Sequence, residues 1–379
     1  MKSNCDLSVV VTTRNDDHGG DMLRRFRIFA ETILEQANRH SLRGELIVVE
    51  WNPPPGPRLH DVLKLSVKSD SFAIRFLEVP PNAHATIRNS DVIPLFQMIA
   101  KNVAFRRARG EYILATNPDI LFSETLISFL ASNRLDPHVM YRIDRHDVPA
   151  EIPEDVPTDK QLAWCDSNVL RIHRRRGSFP PKRLFLSRLR QINPMQLKQL
   201  FTKKLFSRLL VGFFDARYWI RRALWGALYF TDPLPKVHTN GCGDFTLMSK
   251  ERWLALRGYP ELPIWSMHVD SLLCYMAVAS GLREQVFRSP AKIFHMEHQN
   301  SWVVLTPEER LKTFSKKPWI DIGLLGEIWL GMYRSRHSLA FNDEHWGLAE
   351  WSLDETVILS GRKRFISKSA VRLGLAEVG

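Results

Sequence analysis

The chain has 379 residues, 44% of them hydrophobic and 25% charged, an ordinary balance for a folded protein with one large core or two smaller ones. Its formal net charge is +12, but between Arg171 and Arg222 fifteen Lys or Arg face a single acid, Asp215, which leaves 38 basic and 40 acidic residues elsewhere. The excess belongs to one segment, so a chain built throughout for nucleic acid is excluded. Four scattered cysteines, Cys5, Cys165, Cys242 and Cys274, likewise exclude a disulfide framework and a C-x-x-C zinc site, and fit a reducing cytosol.

The start, MKSNCDLSVVV, is too polar and too short in its apolar run for a signal peptide. No window reaches the roughly 17–25 apolar residues of a membrane-spanning helix. A cytoplasmic protein, soluble or peripheral to the membrane's inner face, is expected. LSVVVT (7–12) reads as a buried strand and DMLRRFRIFAETILEQANRH (21–40) as a helix. ELIVVE (45–50) is a second strand ending at the turn signal NPPPGP, and FAIRFLEV (72–79) a third. PLFQMIAKNVAFRRA (94–108) is helical, Gly110 breaks it, and EYILAT (111–116) is a fourth strand.

Such alternation with continuously apolar strands predicts an α/β fold, a mostly parallel sheet flanked by helices, with ligands beyond the carboxyl ends of its strands. The polar clusters lie at those ends: Thr12-Thr13-Arg14-Asn15, Glu50, and Asn117-Pro118-Asp119. Residues 146–165 read as a loop from their Pro, Asp and Glu. In the basic segment Leu197, Leu200, Phe201, Leu205, Leu209, Phe213, Ile220 and Leu224 trace one helical face. DFTLMS (244–249) is a strand, HVDSLLCYMAVASG (268–281) a helix closed by Gly281, and KIFH (292–295) a last short strand. From about 305 the chain reads as helical or irregular, rich in Trp.

In this order, SVVVTTRND, VVEWN and AKNVAFRRARGEYILATNPD, followed by HTNGCGDFTLMSKERWLALRGYPE, MHVDSLL and KIFHMEH, resemble the family 2-type glycosyltransferases of GT-A fold. The resemblance covers about 6–125 and 238–300, with N-P-D standing where that family usually has Asp-x-Asp. It implies a nucleotide-sugar-binding half (1–145), a basic amphipathic helical insertion (146–237), an acceptor-side half (238–304) and a helical C-terminal extension (305–379). The implied reaction moves a sugar from a nucleoside diphosphate, a UDP-sugar first, to a glycan or lipid-linked acceptor.

The candidate residues follow from that chemistry. Glu50 is placed to accept from a base or ribose, or is a solvated carboxylate before a turn. Thr12, Thr13, Arg14 and Asn15 would frame base and phosphate. Lys101 would offset phosphate charge and Asn102 orient the ribose or sugar, with Arg88 and Asn89 weaker candidates. A divalent cation, Mn²⁺ or Mg²⁺, would rest on Asp119 and on His295, with His298 competing for that role, while Asn117 lends an oxygen or touches the ribose. Asp270 is expected either to stabilise a helix dipole or to act as general base in an inverting displacement. Asp244, after two glycines, and His268 would touch the sugar or acceptor.

The basic segment, 171–230, suits an anionic membrane surface or simple packing; nucleic acid is the least favoured partner. Three rivals stand: a sugar-1-phosphate nucleotidyltransferase, whose usual Gly-rich first loop is missing from VVVTTRNDDHGG; a non-catalytic nucleotide-sugar binder; and a nucleic-acid-binding protein led by the basic segment.

Overall fold

The computed structural model describes residues 5–17, 19–181, 234–298 and 317–366. The chain divides into two compact units, one of Met1–Ser178 with Val237–Gly379, the other Phe179–Lys236. The helical face expected at 197–224, and with it the membrane surface expected along 171–230, lies outside the described residues apart from 171–181.

Strands β1 (Leu7–Thr13), β2 (Gly44–Trp51), β3 (Phe72–Val79) and β4 (Tyr112–Ala115) are mutually parallel in the order β4-β1-β2-β3. Helices α1 (Met22–Arg39), α2 (Leu59–Val62), α3 (Pro81–Ala85) and α4 (Gln97–Arg107) connect them. Every residue of β1 and β2 is buried, as in strands covered on both faces. Leu7, Val9, Val11, Leu46 and Val48 share a core cluster with Phe26, Phe29 and Ile33 of α1. Strand alternation turns Val10, Ile47 and Val49 to the other face, where α4 packs on β1 and β2. All of α4 from Met98 to Phe105 is buried, Lys101 and Asn102 included.

Beyond β4, residues Ile120–Phe122 (β5), Glu124–Leu130 (α5), Val139–Ile143 (β6), Arg145–Val148 (β7), Thr158–Ser167 (α6), Arg171–Arg174 (β8) and Gly177–Phe179 (β9) follow in order. After the second unit come β10 (Thr246–Ser249), α7 (Lys250–Ala255), α8 (Val269–Ala279), β11 (Arg283–Phe287), β12 (Ile293–Met296), α9 (Ile322–Ser335), β13 (Asp354–Leu359) and β14 (Arg362–Ile366). β10 lies antiparallel between β4 and β6, and β11 runs parallel to β6. On the far edge β13 adds antiparallel to β3 and β14 antiparallel to β13, giving nine strands in all. Arg75, 3% exposed, joins Glu45 of β2 (2.8 Å) to Glu355 of β13 (2.7 Å). The expected helical tail therefore holds one described helix, α9, and then a hairpin that prolongs the sheet.

A second sheet runs β5-β12-β7-β8-β9. β12 is antiparallel to β5 with His295 opposite Ile120, and parallel to β7 with His295 opposite Asp147. β7 is antiparallel to β8, placing Arg145 opposite His173 and Asp147 opposite Arg171. The loop read at 146–165 thus contains the end of β7 and most of α6. Arg-His-Asp-Val and Arg-Ile-His-Arg lack an apolar pattern; as strands they pair charge with charge. α6 buries only a short stripe, Leu162 and Cys165 among it.

Candidate active site

β4 ends at Ala115, and the next four residues turn across the carboxyl end of the parallel strands. Thr116 remains in the sheet, its N–H on the Val10 carbonyl and its hydroxyl on the Asp244 carbonyl. Asn117 then faces inward. Its Oδ1 accepts from Lys101 Nζ (3.0 Å) and Gln97 Nε2 (2.8 Å), and its Nδ2 donates to Asp244 Oδ1 at 2.7 Å. Where a contact with donor or cation was expected, the Asn117 side chain bridges Lys101 and Gln97 to Asp244.

Two residues on, Asp119 is 9% exposed and meets two histidines. Its Oδ2 lies 3.7 Å from His295 Nε2 and 3.5 Å from His298 Nε2, and the three ligand atoms fall within 4.8 Å of one another. Atoms about 2.1 Å from a shared ion and roughly tetrahedrally disposed stand about 3.4 Å apart, so the two separations from Asp119 suit a metal. Asp119 Oδ1 is buried with no hydrogen-bond partner among the described residues, an orphan acceptor of the kind a cation relieves. His295 and His298 both lie beside Asp119, where the sequence treats them as competitors. Gly19, at φ +77°, brings the first loop against this cluster: a Cβ there would meet His298 Nδ1 at 2.6 Å. The same loop is pinned by Arg25, which donates to the Gly19 and Gly20 carbonyls and lies near enough to feel the charge of Asp119.

Behind His295 lies Asp147, wholly buried. His295 Nδ1 is 3.3 Å from its Oδ1, Arg145 Nε 2.9 Å from the same oxygen, and Arg171 Nε and His173 Nε2 are 2.9 and 2.7 Å from Oδ2. Burial opposes its charge, but the contacts with His173, His295 and Arg145 prevail and hold the carboxyl far below the usual range. Arg145 also reaches Asp244 Oδ2 at 2.7 Å. Nothing in the sequence marks Asp147 or Arg145, which lie in a polar run without a recognisable motif.

Lys101 is fully buried, donating to the Gly243 carbonyl at 2.8 Å as well as to Asn117. Burial lowers its pKa to about 8, against the pull of Asp244, Asp270 and Asp119. Asp244 is also buried; that penalises its charge, yet Arg145 and His295 carry its pKa below the ordinary value, so it stays ionised. Asp270 sits in the first turn of α8, its Oδ1 accepting from the Ser271 N–H at 2.8 Å. Its Oδ2 is 3.1 Å from where a Cβ on Gly243 would be, so the small-residue turn lets α8 approach. His268 precedes α8 in a left-handed conformation (φ 67°) beside Trp319, and burial lowers its pKa.

Two other residues expected at the donor have protein partners in this structure. Glu50 is 1% exposed and both its oxygens accept from the Leu59 N–H at 3.0 Å, so it fixes the start of α2 where a base or ribose was expected. Asn102 is wholly buried; it donates to the Tyr259 carbonyl (2.8 Å) and Glu261 (2.9 Å) and accepts from the Tyr259 N–H (2.8 Å). Gly258 (φ +71°) must be glycine there, because a Cβ would stand 2.2 Å from Asn102 Oδ1. The end of β1 joins two loops: Arg14 Nε donates to the Asn52 carbonyl (2.9 Å) and Asn15 Nδ2 to that of Pro57 (3.1 Å). Thr13 rests against Met22, and Thr12 keeps a buried hydroxyl without a partner among the described residues.

No protein-family model matches the chain, and no curated protein sequence matches it. Among solved structures it is similar to the catalytic domain of Drosophila β1,4-galactosyltransferase 7 in complex with xylobiose, at 8% identity and a TM-score of 0.35, covering 89% of this chain and 84% of that one. It is also similar to GalNAc-T7 with UDP, GalNAc and Mn²⁺, at 11% identity and a TM-score of 0.42, covering 89% of this chain but only 52% of the other. At such scores the reading of the site rests on its own side chains.

Proposed function

We propose that the chain is a GT-A-type glycosyltransferase that moves a sugar from a nucleoside diphosphate to a glycan or lipid-linked acceptor. The observation that carries this reading is the convergence, beyond the carboxyl end of β4, of a His-His-Asp ligand set with a buried ammonium and the carboxylate heading α8. Asp119, His295 and His298 would hold a divalent cation, which when bound offsets the charge of a departing diphosphate. Two imidazole nitrogens in the set favour Mn²⁺ over Mg²⁺, which prefers oxygen ligands throughout. Lys101 and Arg25 add fixed positive charge for the phosphates.

Asp244, kept ionised by Arg145, is suited to accept hydrogen bonds from sugar hydroxyls and poorly suited to take a proton. Asp270 is the general base in this reading, receiving the proton of the acceptor hydroxyl as it attacks the anomeric carbon opposite the leaving group, an inverting displacement. His268, uncharged through burial, borders the acceptor side.

The test is turnover of a panel of nucleotide sugars, UDP-sugars first, with Mn²⁺, Mg²⁺ or EDTA. Mn²⁺-dependent release of nucleoside diphosphate is expected, with Asp119→Ala lowering it by about a thousandfold or more. Asp270→Asn should reduce kcat by about 10²–10⁴ with donor affinity kept. Nucleotide binding without turnover of any donor would leave only a binding protein and sink the enzyme reading.

A further inference from the structure

We propose that Asp147 is a positioning residue for the metal centre: it accepts a hydrogen bond from the Nδ1–H of His295, so that the proton stays on Nδ1 and Nε2 is left bare and aimed at the cation held with Asp119 and His298. The inference rests on the metal-site reading above and goes beyond it to a carboxylate that never touches the ion.

Three features carry it. The parallel register of β12 on β7 sets His295 directly beside Asp147, with Nδ1 3.3 Å from Oδ1, while Nε2 at the other end of the ring is 3.7 Å from Asp119. Nδ1 and Oδ1 are both buried polar atoms without a completed hydrogen bond among the described residues, so each is left for the other, and a ring that binds a metal through Nε2 needs its proton on Nδ1. Secondly, Asp147 cannot swing away. Arg171 and His173 hydrogen-bond to Oδ2, and Arg145 Nε stands 2.9 Å from Oδ1, so ion pairs hold the carboxylate at both oxygens. Its supports are held in turn: His173 Nδ1 meets Ser178 Oγ at 2.6 Å, and Arg171 pairs also with Glu297, one residue before His298. Thirdly, Arg145 spans Asp147 and Asp244, so the carboxylate that orients the metal ligand and the one proposed to touch the sugar share a guanidinium. A buried aspartate needed only to neutralise Arg145 and Arg171 would need no contact with an imidazole.

The decisive experiment is a Mn²⁺ titration of the full chain, followed by electron paramagnetic resonance, for the wild type, Asp147→Asn, His295→Ala and the double variant, with circular dichroism confirming the fold of each. Asp147→Asn is expected to weaken Mn²⁺ about 10–100-fold. In the His295→Ala background it should weaken it no further, because it acts through that ring. Losses that multiply, or an Asp147→Asn affinity within about twofold of wild type, overturn the proposal and leave the metal site standing. A wild type that binds no Mn²⁺ overturns the site and the proposal together. A second measurement does not depend on the variants folding. In ¹⁵N-histidine-labelled wild type, His295 should appear as the Nδ1–H tautomer; an Nε2–H tautomer overturns the proposal.

Discussion

The amide of Asn117 bonds at once to Lys101, Gln97 and Asp244, and no carboxylate can do the same, because Asp244 Oδ1 needs a donor opposite it at 2.7 Å. Asn117→Asp would restore an Asp-x-Asp spelling but set two carboxylates in contact. It should cost about 1–3 kcal/mol, read as a lowered melting temperature, and leave Mn²⁺ affinity unimproved in a metal titration. Glu50 gives a pH-dependent counterpart. Burial raises its pKa from 4.5 to about 7, with the Leu59 N–H and Arg58 pulling the other way. The folded state holds this proton more tightly than the unfolded one, so the group favours folding below pH 4.5 and that contribution is lost as pH rises through about 7. Glu50→Gln should therefore raise the melting temperature at pH 8, by up to about 2–3 kcal/mol of stability, and leave it nearly unchanged at pH 4.5. At this scale the places of Asp119 and His295 at the end of a strand or within one, and of Lys101 on a helix, were legible in the sequence. It did not disclose that Asn102, Asn117 and Glu50 have protein partners, since a polar side chain reads alike whether it faces a ligand or a backbone amide.

Among the elements, apolar ones were legible and charged ones were not. β1 to β4, α1, α4, α8 and β12 follow from runs of Val, Ile, Leu and Phe within a few residues of their observed ends. β7 and β8 were not legible as strands because charge pairs join them across the sheet, which no single stretch of sequence displays. The C-terminal hairpin was hidden for a related reason: β13 docks on β3 through Arg75, whose partners Glu45 and Glu355 are far apart along the chain. Removing the guanidinium leaves Glu45 buried without its cation. Arg75→Met should destabilise by about 3–5 kcal/mol in urea unfolding, well beyond the effect of a surface substitution.

For the molecule as a whole, the proposed cation ligands come from the β4–β5 turn and from β12 and the residues just after it, so the proposed site joins the large sheet to the small one. An ion there binds only the folded chain. Mn²⁺ at a hundred times its Kd should add about 2.7 kcal/mol to stability. Amide exchange should slow together in β5, β7 and β12, and His295→Ala should abolish both effects. The hairpin has a consequence of another kind. Without it, β3 would end the sheet with the N–H and C=O groups of Phe-Ala-Ile-Arg-Phe-Leu-Glu-Val open to any passing strand. With it, the outermost described strand is β14, which carries Arg362, Lys363 and Arg364 in succession. Two such borders repel when they meet, and a run of cations is a poor template for a further strand. The hairpin that borders the sheet therefore also keeps β3 from pairing with other copies.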